Sequence, residues 1–142
     1  MSEVDLPHAE FAFPGPLRDR LVAAIQDGRK TTTTALLVEF EHADEPLPRP
    51  GDRELLIDSA GAPAGVIELL EVRCLRLADV DLAHAVDEGE GHASVADWRT
   101  DHEEFWQGAD LRAHLGDPEF TVDDDTMVVA QRFRFLPTRP NA

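Results

Sequence analysis

The stretch from about Val66 to Leu77 constrains this chain most. Leu69 and Leu70, with Val72, Cys74 and Leu75, put apolar side chains on both faces of what reads as one long strand. Side chains alternate across a strand, so a strand apolar on both sides has to be covered on both sides. A strand that curves through a barrel meets that requirement.

The rest of the chain reads around that strand. Residues 1–15 carry two prolines and a glycine and read as an extended lead-in. Pro16 is suited to a helix start, Leu17, Leu21, Ala24 and Ile25 share a face, and Gly28 closes the helix. Thr31 to Phe40 is rich in threonine and apolar residues and reads as a strand. Pro46, Pro48, Pro50 and Gly51 form a loop leading to a strand near Glu54–Asp58, and Gly61 and Gly65 bracket a turn. Leu82 to Asp87 reads as a short helix. Ser94 opens another, with Asp97 three residues on, and Trp98, His102 and Phe105 fall on one face of it. Residues 116–126 read as an acidic loop, and Met127 to Phe135 as a strand with Val129, Gln131, Phe133 and Phe135 on one side. The order implies an α+β domain with a curved or closed sheet.

The length of 142 residues suits a single domain, which buries roughly two-thirds of its unfolded surface and needs no covalent staple. Cys74 is the only cysteine, so it has no partner for an internal disulfide; its mid-strand position predicts an inert core thiol. With no basic start, long apolar run or bilayer-length segment, the sequence predicts a cytoplasmic protein with no membrane partner. The net charge of −16, from 29 acidic against 13 basic residues, disfavours a broad nucleic-acid footprint, because such a surface cannot displace counterions from many phosphates. A nucleoside, or a short strand held in a local basic cleft, is compatible with it.

Among the basic residues are twelve arginines and one lysine, Lys30. Arginine keeps its proton in proteins, whereas a buried lysine can give one up, so the lone lysine marks a candidate reactive group. It lies in Gly28-Arg29-Lys30-Thr31-Thr32-Thr33-Thr34, where a hydroxyl beside an amine pairs a nucleophile with a base. The plainer reading is a helix cap followed by an ordinary threonine-rich strand. Glu88-Gly89-Glu90-Gly91 with His92 offers carboxylates at a glycine-rich helix end, or simply a solvated acidic turn. Trp98, His102, Phe105 and Trp106 read as a base-stacking stripe or as core, with core favoured for Trp98 and Phe105. The histidines lack metal-ligand spacing, so no metal or other cofactor is expected.

Gly28-x-Lys30-x-x-Thr33 resembles the Gly-x-Lys-x-x-Thr signature of the ASCH domain, a relative of the PUA fold. Leu47-Pro48-x-Pro50-Gly51-Asp52 resembles the stretch before the family's second strand. Ala85-x-x-Glu88-Gly89-Glu90-Gly91 and Trp98-Arg99-x-x-His102-x-x-Phe105 are similar to the longer bacterial members. The resemblance spans about residues 17–135. It implies a PUA-like curved β-barrel flanked by helices, a cleft holding the lysine motif, and a role in RNA or nucleoside metabolism. Small bacterial relatives deacetylate 4-acetylcytidine with a threonine, a lysine and a glutamate. Carried over, Thr33 is the nucleophile, Lys30 its base or positive partner, and Glu88 the acidic third member. Arg29, Thr31, Glu90, His92 and Arg99 then stand as substrate-binding residues. Other members are described as ribonucleases, which makes short single-stranded RNA the alternative partner to a small nucleoside-like ligand. A non-catalytic nucleotide-sensing or interaction domain is the third reading. This chain departs from the pattern in having His92 where longer members usually carry aspartate, and in having no tyrosine, which a tyrosine-dependent ribonuclease mechanism would need.

Overall fold

A computed structural model describes residues 5–137. Five strands form one curved, open sheet in the order β1-β3-β4-β5-β2: β1 (His8–Ala9), β2 (Thr32–Leu36), β3 (Arg53–Ile57), β4 (Pro63–Arg76) and β5 (Met127–Leu136). Only β1 and β3 run parallel. The helices are α1 (Pro16–Gln26), α2 (Leu37–His42), α3 (Leu82–Asp87), α4 (Val95–Trp106) and α5 (Ala109–Leu115). The α+β architecture follows the sequence reading.

The long strand bends because β4 carries a bulge: Leu69 faces Phe133 and Glu71 faces Arg132, leaving Leu70 without a partner and exposed. Pairing with β3 stops at Glu68, so the far half of β4 has β5 as its neighbour. Cys74 lies in that half and is exposed, not an inert core thiol as expected.

Each face of the sheet has its own core. Val22 and Ile25 of α1 pack with Leu56, Ile67, Leu69 and Phe133. On the other face, Leu36 and Val128 pack with Ala85 of α3, Trp98 and Trp106 of α4, and Leu111 of α5. Helices on both sides cover β5, whose Phe133 packs with α1 and whose Val128 packs with α3, α4 and α5, whereas β4 leaves Leu70 and Cys74 exposed.

Four local readings change. The lead-in contains β1, paired through His8 and Ala9 with Leu55 and Leu56; residues 1–4 lie outside the described residues. Beyond Leu36 the expected strand turns into α2, where the Glu39 carboxylate accepts the Leu36 N–H at 3.0 Å and satisfies an otherwise unpaired donor at the helix start. Gly65 belongs to β4, opposite Leu56. A separate helix, α5, precedes the acidic loop.

Arg18 fixes the path of the lead-in. It is buried, and its guanidinium donates to the carbonyl oxygens of Phe11 (3.0 Å), Ala12 (2.8 Å) and Asp58 (3.4 Å). This holds Phe11 and its neighbours along the border of a large cleft.

Candidate active site

The cleft has a volume of about 970 Å³ and is bordered by the lead-in, the first half of α1, the edge strand β2, α2, α4 and α5. Lys30 reaches it through a tight turn. Gly28 adopts φ +86°, and beyond it the Lys30 N–H bonds the Ala24 carbonyl at 3.0 Å, back within α1. β2 starts only at Thr32, so strand alternation does not govern Lys30, and its side chain borders the same cleft as Thr33 and Thr34.

Lys30 and Glu88 are 2% and 1% exposed, and the amine lies 3.5 Å from Glu88 Oε1. The amine also donates to the Thr32 carbonyl at 2.8 Å. Around Glu88 the donors converge. Oε2 accepts from the Thr34 hydroxyl at 2.7 Å and the Trp98 indole N–H at 2.9 Å; Oε1 accepts from His102 Nε2 at 3.1 Å. Burial opposes the Glu88 charge, but Lys30 and the hydrogen bonds of His102 and His84 outweigh it and hold the carboxyl well below its ordinary range. Glu88 is therefore a saturated, ionised acceptor, unsuited to donating a proton.

The proton positions in this network follow from its acceptors. A carboxylate can only accept, so the Thr34 proton points at Glu88, and His84 Nε2, 2.7 Å from the Thr34 oxygen, must be the donor there. His102 faces an acceptor at each nitrogen, with Nδ1 2.8 Å from the Trp98 carbonyl and Nε2 on Glu88. That geometry suits the imidazolium. Although burial works against that charge, Glu88 raises the His102 pKa above its usual value. The ring stacks on Trp98 with centroids 4.2 Å apart.

Of the residues singled out in the sequence, Lys30, Thr33, Glu88 and Glu90 border the cleft, as do His102, Phe105 and Trp106 of the aromatic stripe. The others are engaged elsewhere. Arg29 is exposed and pairs with Asp27 at 2.8 Å, and Arg99 pairs with Glu103 and Asp124. The Thr31 hydroxyl donates to the Asp87 carbonyl at 3.4 Å, and His92 Nε2 contacts Asp101 at 2.6 Å. Thr34, His84, Trp98 and His102 complete the network; Trp98 and His102 were read as a stacking stripe or core and Thr34 only as part of the threonine run, and none of the four was read as a partner of Glu88. The sequence signal for them was thin: His84 and Glu88 are four apart across one helix end, and Trp98 and His102 are four apart on α4.

Glu88, Glu90 and His102 each place one potential metal-ligand atom within 4.8 Å of the others. An ion bound there would displace His102 from Glu88 and sit beside the Lys30 charge, so the donor set fits a proton network better than a cation.

A curved α+β sheet with a buried lysine–glutamate pair opening on a cleft defines the class of protein. Residues 10–137 match the model of the ASCH domain, and the chain belongs to that family. It is similar in structure to an ASCH domain from Lactobacillus crispatus, with 23% identity and a TM-score of 0.78 over 94% of this chain and 80% of that one. It is also similar to a protein from Enterococcus faecalis, with 24% identity and a TM-score of 0.71 over 83% and 68% of the two chains. A mutant ASCH protein from Zymomonas mobilis is more distant, at 16% identity and a TM-score of 0.51 over 86% and 68%. No curated protein matches the sequence. At these identities the likenesses concern the fold. Among the described residues, no helix is long and apolar enough to cross a membrane.

Proposed function

We propose that this ASCH-domain protein is an amidohydrolase that splits the amide of a small acylated nucleoside such as 4-acetylcytidine. The observation that carries this reading is the buried Lys30–Glu88 pair in a cleft that Thr33 also borders. The Thr34 hydroxyl is committed to Glu88 and His84, which leaves Thr33 as the hydroxyl available for attack.

In this mechanism Thr33 Oγ1 adds to the amide carbonyl carbon. Lys30, held by Glu88, passes one of its protons to the leaving nitrogen and takes the Thr33 proton in exchange, so its charge is unchanged over the step. Its positive charge also favours the developing oxyanion. The C–N bond breaks and the free amine departs. Water then hydrolyses the threonine ester, releasing the carboxylic acid and restoring Thr33.

The cleft supports a ligand without phosphates. Glu10, Glu45, Glu90, Asp101 and Glu104 are exposed along its border, against Arg20. Arg29, Arg53, Arg99 and Arg132 lie off the cleft border and are each paired with carboxylates. Electrostatics therefore favours a nucleoside over RNA.

The test is release of cytidine from 4-acetylcytidine by wild type, Lys30→Arg and Thr33→Val. Turnover by wild type, slowed at least about 100-fold in both variants, is expected. Equal rates in wild type and Lys30→Arg would remove the lysine from the mechanism. Ligand-dependent stabilisation without turnover would favour a nucleotide sensor instead.

A further inference from the structure

Gln131 takes no part in the chemistry above, yet its position is unusual. It lies within β5 between Val72 of β4 and Thr33 of β2, on the strand side that carries Phe133, and is 7% exposed. No hydrogen bond to another described residue engages its side-chain amide, and Gln131 borders the cleft. A carboxamide holds two N–H donors and a carbonyl acceptor in one plane, and here those atoms keep access to the cleft instead of being sealed within the sheet.

We infer that Gln131 reads the edge of the ligand's base, its amide donating to a ring acceptor and accepting from an adjacent N–H. The inference rests on the nucleoside reading of the cleft. In an aminopyrimidine such as cytidine, those atoms are N3 and the 4-amino group, a donor–acceptor pattern that a carboxamide matches with two hydrogen bonds. The strand register adds to the argument. Gln131 is directly opposite Thr33, so a base held by Gln131 brings its amino nitrogen, the one that carries the acyl group, towards the attacking hydroxyl. Phe11 borders the same cleft, with its ring 6.1 Å from Phe133 and 5.9 Å from the Lys30 amine, and offers an apolar face to the base.

The test compares binding of cytidine and N4,N4-dimethylcytidine, which lacks the N–H, to wild type and Gln131→Leu by isothermal titration. Wild type should prefer cytidine by about tenfold or more, and the preference should vanish in Gln131→Leu. The variant, which loses an amide bonded to no other described residue, should melt close to wild type. Gln131→Met, with an unbranched side chain of similar length, serves the same comparison should the leucine variant misfold. Undiminished discrimination in the variant would overturn the assignment, as would wild type that binds neither nucleoside or binds both equally. Discrimination lost in Gln131→Leu without any cleavage of 4-acetylcytidine would keep Gln131 as a base reader and remove the hydrolase. Cleavage with discrimination unchanged in the variant would do the reverse.

Discussion

Gly89 stands directly against the backbone of Arg29: a β-carbon built on it would lie 2.4 Å from the Arg29 carbonyl oxygen and 2.8 Å from the Lys30 nitrogen. The end of α3 and the turn after α1 thus touch main chain to main chain, and this contact brings Glu88 to Lys30. Gly89 also has φ +75°, a left-handed conformation that side chains resist. Gly89→Ala should therefore cost about 1–3 kcal/mol in urea unfolding and reduce turnover by moving the carboxylate away from the amine.

Glu88→Gln should be the more damaging change. The amide would leave the Lys30 and His102 charges without their buried counter-ion and would aim an N–H at donors that now meet a carboxylate. Breaking a buried pair in this way costs about 3–5 kcal/mol, measurable by urea titration near neutral pH. The folded pKa of Glu88 is depressed, so its contribution is fully present above the unfolded carboxylate value and is lost as pH falls through the folded one. The gap between wild type and variant should accordingly narrow in acid.

Thr33 and Thr34 should separate function from stability. Thr34→Val removes a buried hydroxyl that bridges His84 and Glu88, and about 1–3 kcal/mol of stability should go with it. Thr33→Val, at a half-buried position on the cleft, should leave the melting temperature nearly unchanged while abolishing turnover. Thermal melts and cytidine release on the two variants check this. Similar melts with turnover lost only in Thr34→Val would exchange their roles.

Glu54 sets a pH dependence of its own. Burial, with Asp52 and Glu45 nearby, raises its pKa from 4.5 to about 7. The folded state therefore holds a proton that the unfolded state has released between those values, so this group makes stability fall as pH rises from 4.5 to about 7. His102, whose folded pKa is raised, stabilises fully below its unfolded value and loses that contribution as pH rises through the folded one. Melting temperatures across this range should decline less steeply for Glu54→Gln than for wild type.

Features that depend on neighbouring residues were readable in the sequence. Pro16 and Gly28 bracket α1, Leu82–Asp87 is α3 as expected, and Ser94 caps α4 by accepting the Asp97 N–H at 3.1 Å. The part of the site held in one short motif, Lys30 with its threonines, was equally visible. What escaped depends on distant contacts. The two residues of β1 are a strand only because β3 lies beside them, and the apolar run after Leu36 suits a helix or a strand until Glu39 supplies the missing acceptor. Trp98 is both core and hydrogen-bond donor, so reading it as core captured its burial and missed its indole N–H. Thr34 was hidden among four consecutive threonines, because nothing local distinguishes the one that meets a carboxylate from another chain segment.

The grip of Arg18 on the lead-in has a consequence for how this protein can diversify. Its guanidinium hydrogen bonds to carbonyl oxygens, groups that every amino acid supplies. Mutation can therefore rewrite the side chains of that segment one at a time while the main chain keeps its course. One wall of the cleft is thus free to change its side chains, with the buried Lys30–Glu88 pair left undisturbed.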